Sequence, residues 1–229
     1  MNKYFLFLLF LFAVSCAYSQ SRASFKVGFQ YVQTERPMLE SYLEDLADSM
    51  QIDDVFDIKQ GMGIGFGMLI RNNKTEFDAG GGYTRSADEI GSETDNLVYY
   101  NNSDIFFYFG ANYLPVNFFL LGGSLLINSS NAKCNQTGLG LGDQYLELLP
   151  STNLHVFRGY SVAFKAQSGF YINLNKDKGT RMRLTGYYIY GLSDYNFYTV
   201  SEKRLTGYTG EQKTNYTTMG IELAFMFGM

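Results

Sequence analysis

The spacing of the alternating stretches constrains this chain more than anything else. Runs of about ten residues place apolar and polar side chains in turn, and the connections between them are short, then long, then short again. Eight runs are read: 25–33, 62–71, 75–84, 105–114, 118–127, 160–174, 181–190 and 214–227. In the first, Phe25, Val27, Phe29 and Tyr31 share one face, and Lys26, Gly28 and Gln30 the other. In the second, Met62, Ile64, Phe66, Met68 and Ile70 oppose Gly61, Gly63, Gly65 and Gly67. The seventh sets Met182, Leu184, Tyr188 and Tyr190 against Arg181, Arg183 and Thr185. The fifth, 118–127, is apolar on both faces, so its register is the least defined.

The connections have their own order. Asn72-Asn73-Lys74, Pro115-Val116-Asn117 and Asn175–Gly179 are read as tight turns, because Asn and Gly tolerate left-handed backbone and Pro presets a turn. The long connections, roughly 34–60, 85–104, 128–159 and 191–213, all fall at the opposite end. Each run is long enough to cross a bilayer at a tilt, which takes ~9–11 residues. The expected fold is all-β: an eight-stranded antiparallel up-and-down transmembrane β-barrel with short periplasmic turns and long extracellular loops.

The beginning of the chain fits export. Lys3 is followed by a nearly unbroken apolar stretch, Tyr4–Val14, about 11 residues and so short of the ~20 that a spanning helix needs. Ala17-Tyr18-Ser19 supplies the small-x-small pattern of a cleavage site, which divides the chain into a signal peptide (1–19) and a barrel domain (20–229). The rival reading is lipidation of Cys16 within Ala13-Val14-Ser15-Cys16. Cleavage after Ser19 leaves Cys134 as the only cysteine beside the single His155, so neither an intrachain disulfide nor a Cys/His metal centre is expected. Without Lys3, 17 basic residues face 22 acidic ones, a net charge of −5 with no basic tract, which gives nucleic-acid binding no electrostatic support.

A soluble eight-stranded barrel turns its apolar face inward, whereas a membrane barrel turns it out. Here the apolar faces carry Phe or Tyr on nearly every strand, too much bulk for so narrow an interior. The other faces carry glycines and a few charges: Lys26, Glu76, Asp78, Lys165, Arg181, Arg183 and Glu222. These seven are read as a structural polar core closing the lumen, since buried ions need partners and four bases nearly balance three acids. The competing reading is a charged solute path.

With these features the chain resembles the small outer-membrane barrel families of Gram-negative bacteria, of the OmpA/OmpX-like kind. The resemblance covers essentially the whole mature chain. It implies an outer-membrane location, contact with outer-membrane lipid and lipopolysaccharide, and a closing strand read by the barrel-assembly machinery, here Ile221, Leu223, Phe225 and Phe227. The terminal residue is Met229 rather than Phe, which displaces that match slightly. Architecture of this kind does not carry function.

The candidate chemistry is sparse. Some small barrels modify envelope lipid with a His and a Ser at the outer rim, but His155 has no compact Ser arrangement around it and reads as a solvated loop histidine. The first long connection holds Glu35, Glu40, Glu44, Asp45, Asp48, Asp53, Asp54 and Asp57 with Arg36 as the only base among them. Pro37 starts a helix there, with Leu39, Leu43, Leu46 and Met50 on one face to fold onto the barrel mouth. The acids do not have calcium-loop spacing, and Asp48-Ser49-Met50 matches a three-residue O-glycosylation motif only weakly. The Gly61–Gly67 stretch lacks the order of a phosphate loop and fits a crowded or bent strand. The sequence therefore points to a non-enzymatic barrel without a cofactor, in a structural or surface-interaction role through its loops toward an unidentified extracellular ligand. A passive pore or carrier for small solutes is the alternative, and an envelope lipid-modifying enzyme the next.

Overall fold

The computed structural model describes residues 22–37, 39–41, 44, 48, 57–91, 96–138, 152–175, 180–193, 195–196, 198–199, 213–214 and 217–228. Eight long strands make the wall: β1 (Arg22–Glu35), β2 (Gln60–Asn72), β3 (Thr75–Gly91), β4 (Asn96–Val116), β5 (Phe119–Gly138), β6 (Thr152–Asn175), β7 (Thr180–Gly191) and β8 (Thr217–Gly228). Every neighbouring pair is antiparallel. β1 pairs with β8 and β5 with β6, so the sheet closes on itself.

Alternation along the strands becomes an inside and an outside. In β1, Lys26, Gly28, Gln30, Val32 and Thr34 are buried while Phe25, Val27, Phe29 and Tyr31 are exposed. The exterior is apolar across a central band: Phe29, Phe66, Ile105, Phe107, Phe109 and Ile221 all exceed half exposure. Tyr31, Tyr83, Tyr160 and Tyr190 stand on this face toward the mouth end, where an interfacial tyrosine girdle belongs. In water such a surface would be a very large apolar patch; against lipid it is the favourable one.

Two short turns behave as their residues dictate. Asn73 takes a positive φ of 55° between β2 and β3. Pro115 lies where the β4–β5 register shifts between Tyr113 and Val116, the place in a ladder that tolerates a missing N–H. The turn itself is Asn117-Phe118, so β5 begins one residue later than expected. Residues 176–179 of the third turn, and 1–21 with the expected signal, lie outside the described residues.

Three expectations are corrected. β3 to β6 span 17, 21, 20 and 24 residues, well beyond a membrane crossing, and continue through much of the 85–104 and 128–159 stretches read as connections. Above the apolar band both strand faces are polar, as in Ser129-Ser130-Asn131, so hydropathy loses its period although the ladder runs on. His155 accordingly sits in β6, opposite Cys134 of β5, and not in a loop. Thr214 belongs to a two-residue ladder with Tyr195 outside the barrel, and β8 starts at Thr217.

The two-faced apolarity of β5 has a direct cause. Leu121, Leu125 and Ile127 point outward, while Leu120 and Leu126 are buried in two separate apolar layers of the lumen.

Candidate functional site

The lumen is filled in layers. Near the short turns Leu69, Leu114, Leu120, Tyr171 and Met226 form one apolar cluster. Toward the mouth Val32, Phe106, Tyr108, Leu126, Ala163, Tyr187 and Ile189 form another. Between them lies a charged layer supplied by five strands: Lys26 from β1, Glu76 and Asp78 from β3, Lys165 from β6, Arg183 from β7 and Glu222 from β8.

Lys26 Nζ is 3.2 Å from Asp78 Oδ2 and 3.4 Å from Glu222 Oε1. Arg183 reaches all three carboxylates, at 2.9 Å from Asp78 and 3.4 Å from both Glu76 and Glu222. The remaining valence of Glu76 is filled by Tyr171, whose hydroxyl donates at 2.6 Å, and by the Asn112 amide at 3.0 Å. Gln167 donates in turn to Asn112 at 2.6 Å. Lys165 lies apart from the ion pairs, its ammonium 4.2 Å from the ring centre of Tyr187 and 5.3 Å from that of Tyr108.

Of the seven residues read as the polar core, six meet in the lumen and Arg181 does not. It stands at the start of β7, in a cleft at the short-turn rim. The remaining three bases and three acids balance, which is what a layer held away from water requires. Parity placed Tyr108, Asn112, Gln167 and Tyr171 on the inner face, but nothing in the pattern marked them as partners of the charges.

The alternate glycines make room for this layer. A Cβ on Gly67 or Gly80 would lie 2.9 or 2.7 Å from the Tyr108 hydroxyl, and one on Gly65 would lie 2.7 Å from Gln30 Nε2. The β2 and β3 walls are thus recessed where side chains from other strands cross the lumen.

The mouth is held by the start of the first connection. Arg36, buried, forms an ion pair with Asp104 of β4, which also accepts from Asn102 at 3.2 Å. Arg36 precedes a helical segment whose described residues are Pro37, Leu39–Ser41, Glu44 and Asp48. Its first turn closes by Glu40 N–H to the Arg36 carbonyl at 2.9 Å, while the Glu40 carboxylate accepts the Arg36 N–H at 3.1 Å. Leu39 and Ile58 are fully buried, so the segment's apolar side folds inward at Leu39. Leu43, Leu46, Met50 and Ser49 lie outside the described residues. Glu35, Glu44, Asp48, Asp57 and Glu89 are exposed around this end.

A catalytic pairing at His155 has no geometric support. Ser161 is six residues further along the same extended strand, about 20 Å at ~3.3 Å per residue, and is itself buried in the lumen. Ser151 lies outside the described residues. Of the residues read as an assembly signal, Ile221 and Phe227 are exposed on the outer wall of β8, with Leu223 and Phe225 half-buried between them.

No family model and no curated protein matches this chain. Solved structures do. Ail, the attachment invasion locus protein of Yersinia pestis, in complex with the heparin analogue sucrose octasulfate, is 12% identical over 92% of this chain and 100% of its own, with a TM-score of 0.50. Neisserial surface protein A is 8% identical over 91% and 99% at 0.42, and the outer membrane protein OprG from Pseudomonas aeruginosa 11% over 91% and 96% at 0.36. At these identities the likeness is one of fold: a closed eight-stranded antiparallel barrel of the outer-membrane type.

Proposed function

We propose that this chain is an integral outer-membrane barrel with a closed lumen and no catalytic activity, serving a structural or surface-interaction role through its mouth. The barrel is set in outer-membrane lipid and lipopolysaccharide and delivered there through an export signal at 1–19 and the closing strand around Ile221–Phe227. The observation that carries the reading is the three-layer filling of the lumen. An ion entering from the mouth meets an apolar layer, then charges already neutralised by one another, then a second apolar layer. Desolvating an ion through that sequence costs far more than open, water-filled passage.

The exposed acids around the mouth oppose a polysulfated ligand like the one in the Ail complex. A cationic or neutral surface partner suits this end better. Purified protein in planar bilayers tests the closed lumen: the expectation is no reproducible conductance steps, and regular steps would overturn it. Placement in the membrane is tested separately by gel migration before and after boiling, where an unchanged band would count against a folded barrel.

A further inference from the structure

At the short-turn end a cleft of about 420 Å3 is lined by Arg22, Arg71, Asn73, Asn117, Asn173 and Arg181. Strand register brings the bases there: Arg22 lies opposite Arg71 across β1 and β2, and Arg181 opposite Asn173 across β7 and β6. None of the six lining residues is acidic, and among the described residues none of the three guanidinium groups has an ion-pair partner. Glu76, the register partner of Arg71, is turned into the lumen and held by Tyr171, Asn112 and Arg183. Like charges placed directly opposite destabilise a sheet unless a counter-charge joins them.

Arg71 is also oriented in advance. Its Nε donates to the Asn73 carbonyl at 3.3 Å and its Nη2 to the Asn117 side-chain oxygen at 3.1 Å. These neutral acceptors fix the guanidinium without discharging it. The asparagine amides add uncharged donors, and the volume falls within the range of about 300–1,000 Å3 usual for small-ligand sites. Guanidinium forks match the geometry of phosphate oxygens in pairs, which an exposed ammonium does not.

We propose that this cleft binds a phosphate group, gripped by Arg71 and Arg181 with Arg22 closing the third side. The phosphate belongs either to the headgroup of an anionic phospholipid in the adjoining leaflet or to a soluble phosphate compound. Only the lipid source rests on the reading of the barrel as membrane-spanning.

The test uses the full chain folded in non-ionic detergent, titrated calorimetrically with inorganic phosphate and, separately, with phosphatidylglycerol in mixed micelles. The expected result is saturable binding weakened about tenfold or more in Arg71→Gln and in Arg181→Gln, and unchanged in Lys74→Gln on the neighbouring turn. Saturation by phosphatidylglycerol alone assigns the lipid source; binding of inorganic phosphate, with or without the lipid, assigns the soluble one. Binding of neither, or binding that both glutamine variants leave intact, overturns the proposal. Arg181→Lys, which keeps the charge but loses the fork, is expected to bind several-fold more weakly than the parent. Gel migration before and after boiling is scored for every variant, so loss of the barrel and loss of the site are read apart.

Discussion

Arg183 and Asp78 meet across the full width of the lumen, Nη2 to Oδ2 at 2.9 Å, from β7 and β3 on opposite sides of the eight-strand ring. The pair acts as a strut between walls that share no backbone hydrogen bond. Arg183 also bridges Glu76 and Glu222, so one guanidinium ties two strands, β3 and β8, to β7 through three carboxylates.

Removing that guanidinium strands buried acids. Among the described residues, Arg183→Leu leaves Asp78 and Glu222 with Lys26 as their direct ion-pair partner and Glu76 with none. The expected loss is about 3–5 kcal/mol, the usual result of breaking one side of a buried charge network. Urea unfolding in vesicles, scored by the heat-dependent gel shift, measures it. Arg183→Lys is expected to lose less, because the charge remains while the fork is gone.

The recess at Gly220 is matched to one ring. A Cβ there would run into the Tyr187 side chain, which supplies its three nearest atoms. Gly220→Val is therefore expected to cost about 1–3 kcal/mol by overpacking. Tyr187→Ala in the same chain is expected to restore part of that loss, a non-additivity that a double-mutant cycle resolves; additive losses would argue for strain elsewhere in β8.

The outer wall makes a prediction about lipid. Phe107 is 61% exposed in the middle of the apolar band. Phe107→Arg is expected to cost about 2–4 kcal/mol in a bilayer, the range for a base on a lipid face near the midplane. The same substitution at Tyr99, on the part of β4 beyond the band, is expected to cost near nothing. Equal effects at both sites would mean that the band is not set in lipid.

Arg36 links the first connection to the wall through Asp104. Arg36→Ala is expected to keep the folded-barrel gel shift while raising cleavage by a glutamate-specific protease at Glu40 and Glu44 roughly tenfold. Losing one buried charged contact lowers the cost of local opening without touching the strand ladder. Unchanged cleavage would show that Leu39 and Ile58 anchor the segment alone.

Much of this architecture is written in the sequence because a strand's side-chain period of two is set by covalent geometry. Lys26, Asp78 and Arg183 had to share a face with their alternate neighbours, and Asn73 suited a left-handed turn, before any pairing was known. The polar stretches of β3 to β6 were not legible, because above the apolar band nothing distinguishes the two faces of a strand. Nor was the difference between Arg181 and Arg183. Both face inward by parity, yet two residues shift a side chain by about 7 Å along the strand. Strand tilt and stagger, fixed only when β1 closes on β8, decide which height meets which. The sequence alone thus determined strand number, the inner and outer faces, and the stock of charges. The tertiary structure decided which of those charges meet, placing three bases against three acids in the lumen and leaving Arg181 with Arg22 and Arg71 at the rim, because contacts across a barrel depend on closure and not on neighbours in the chain.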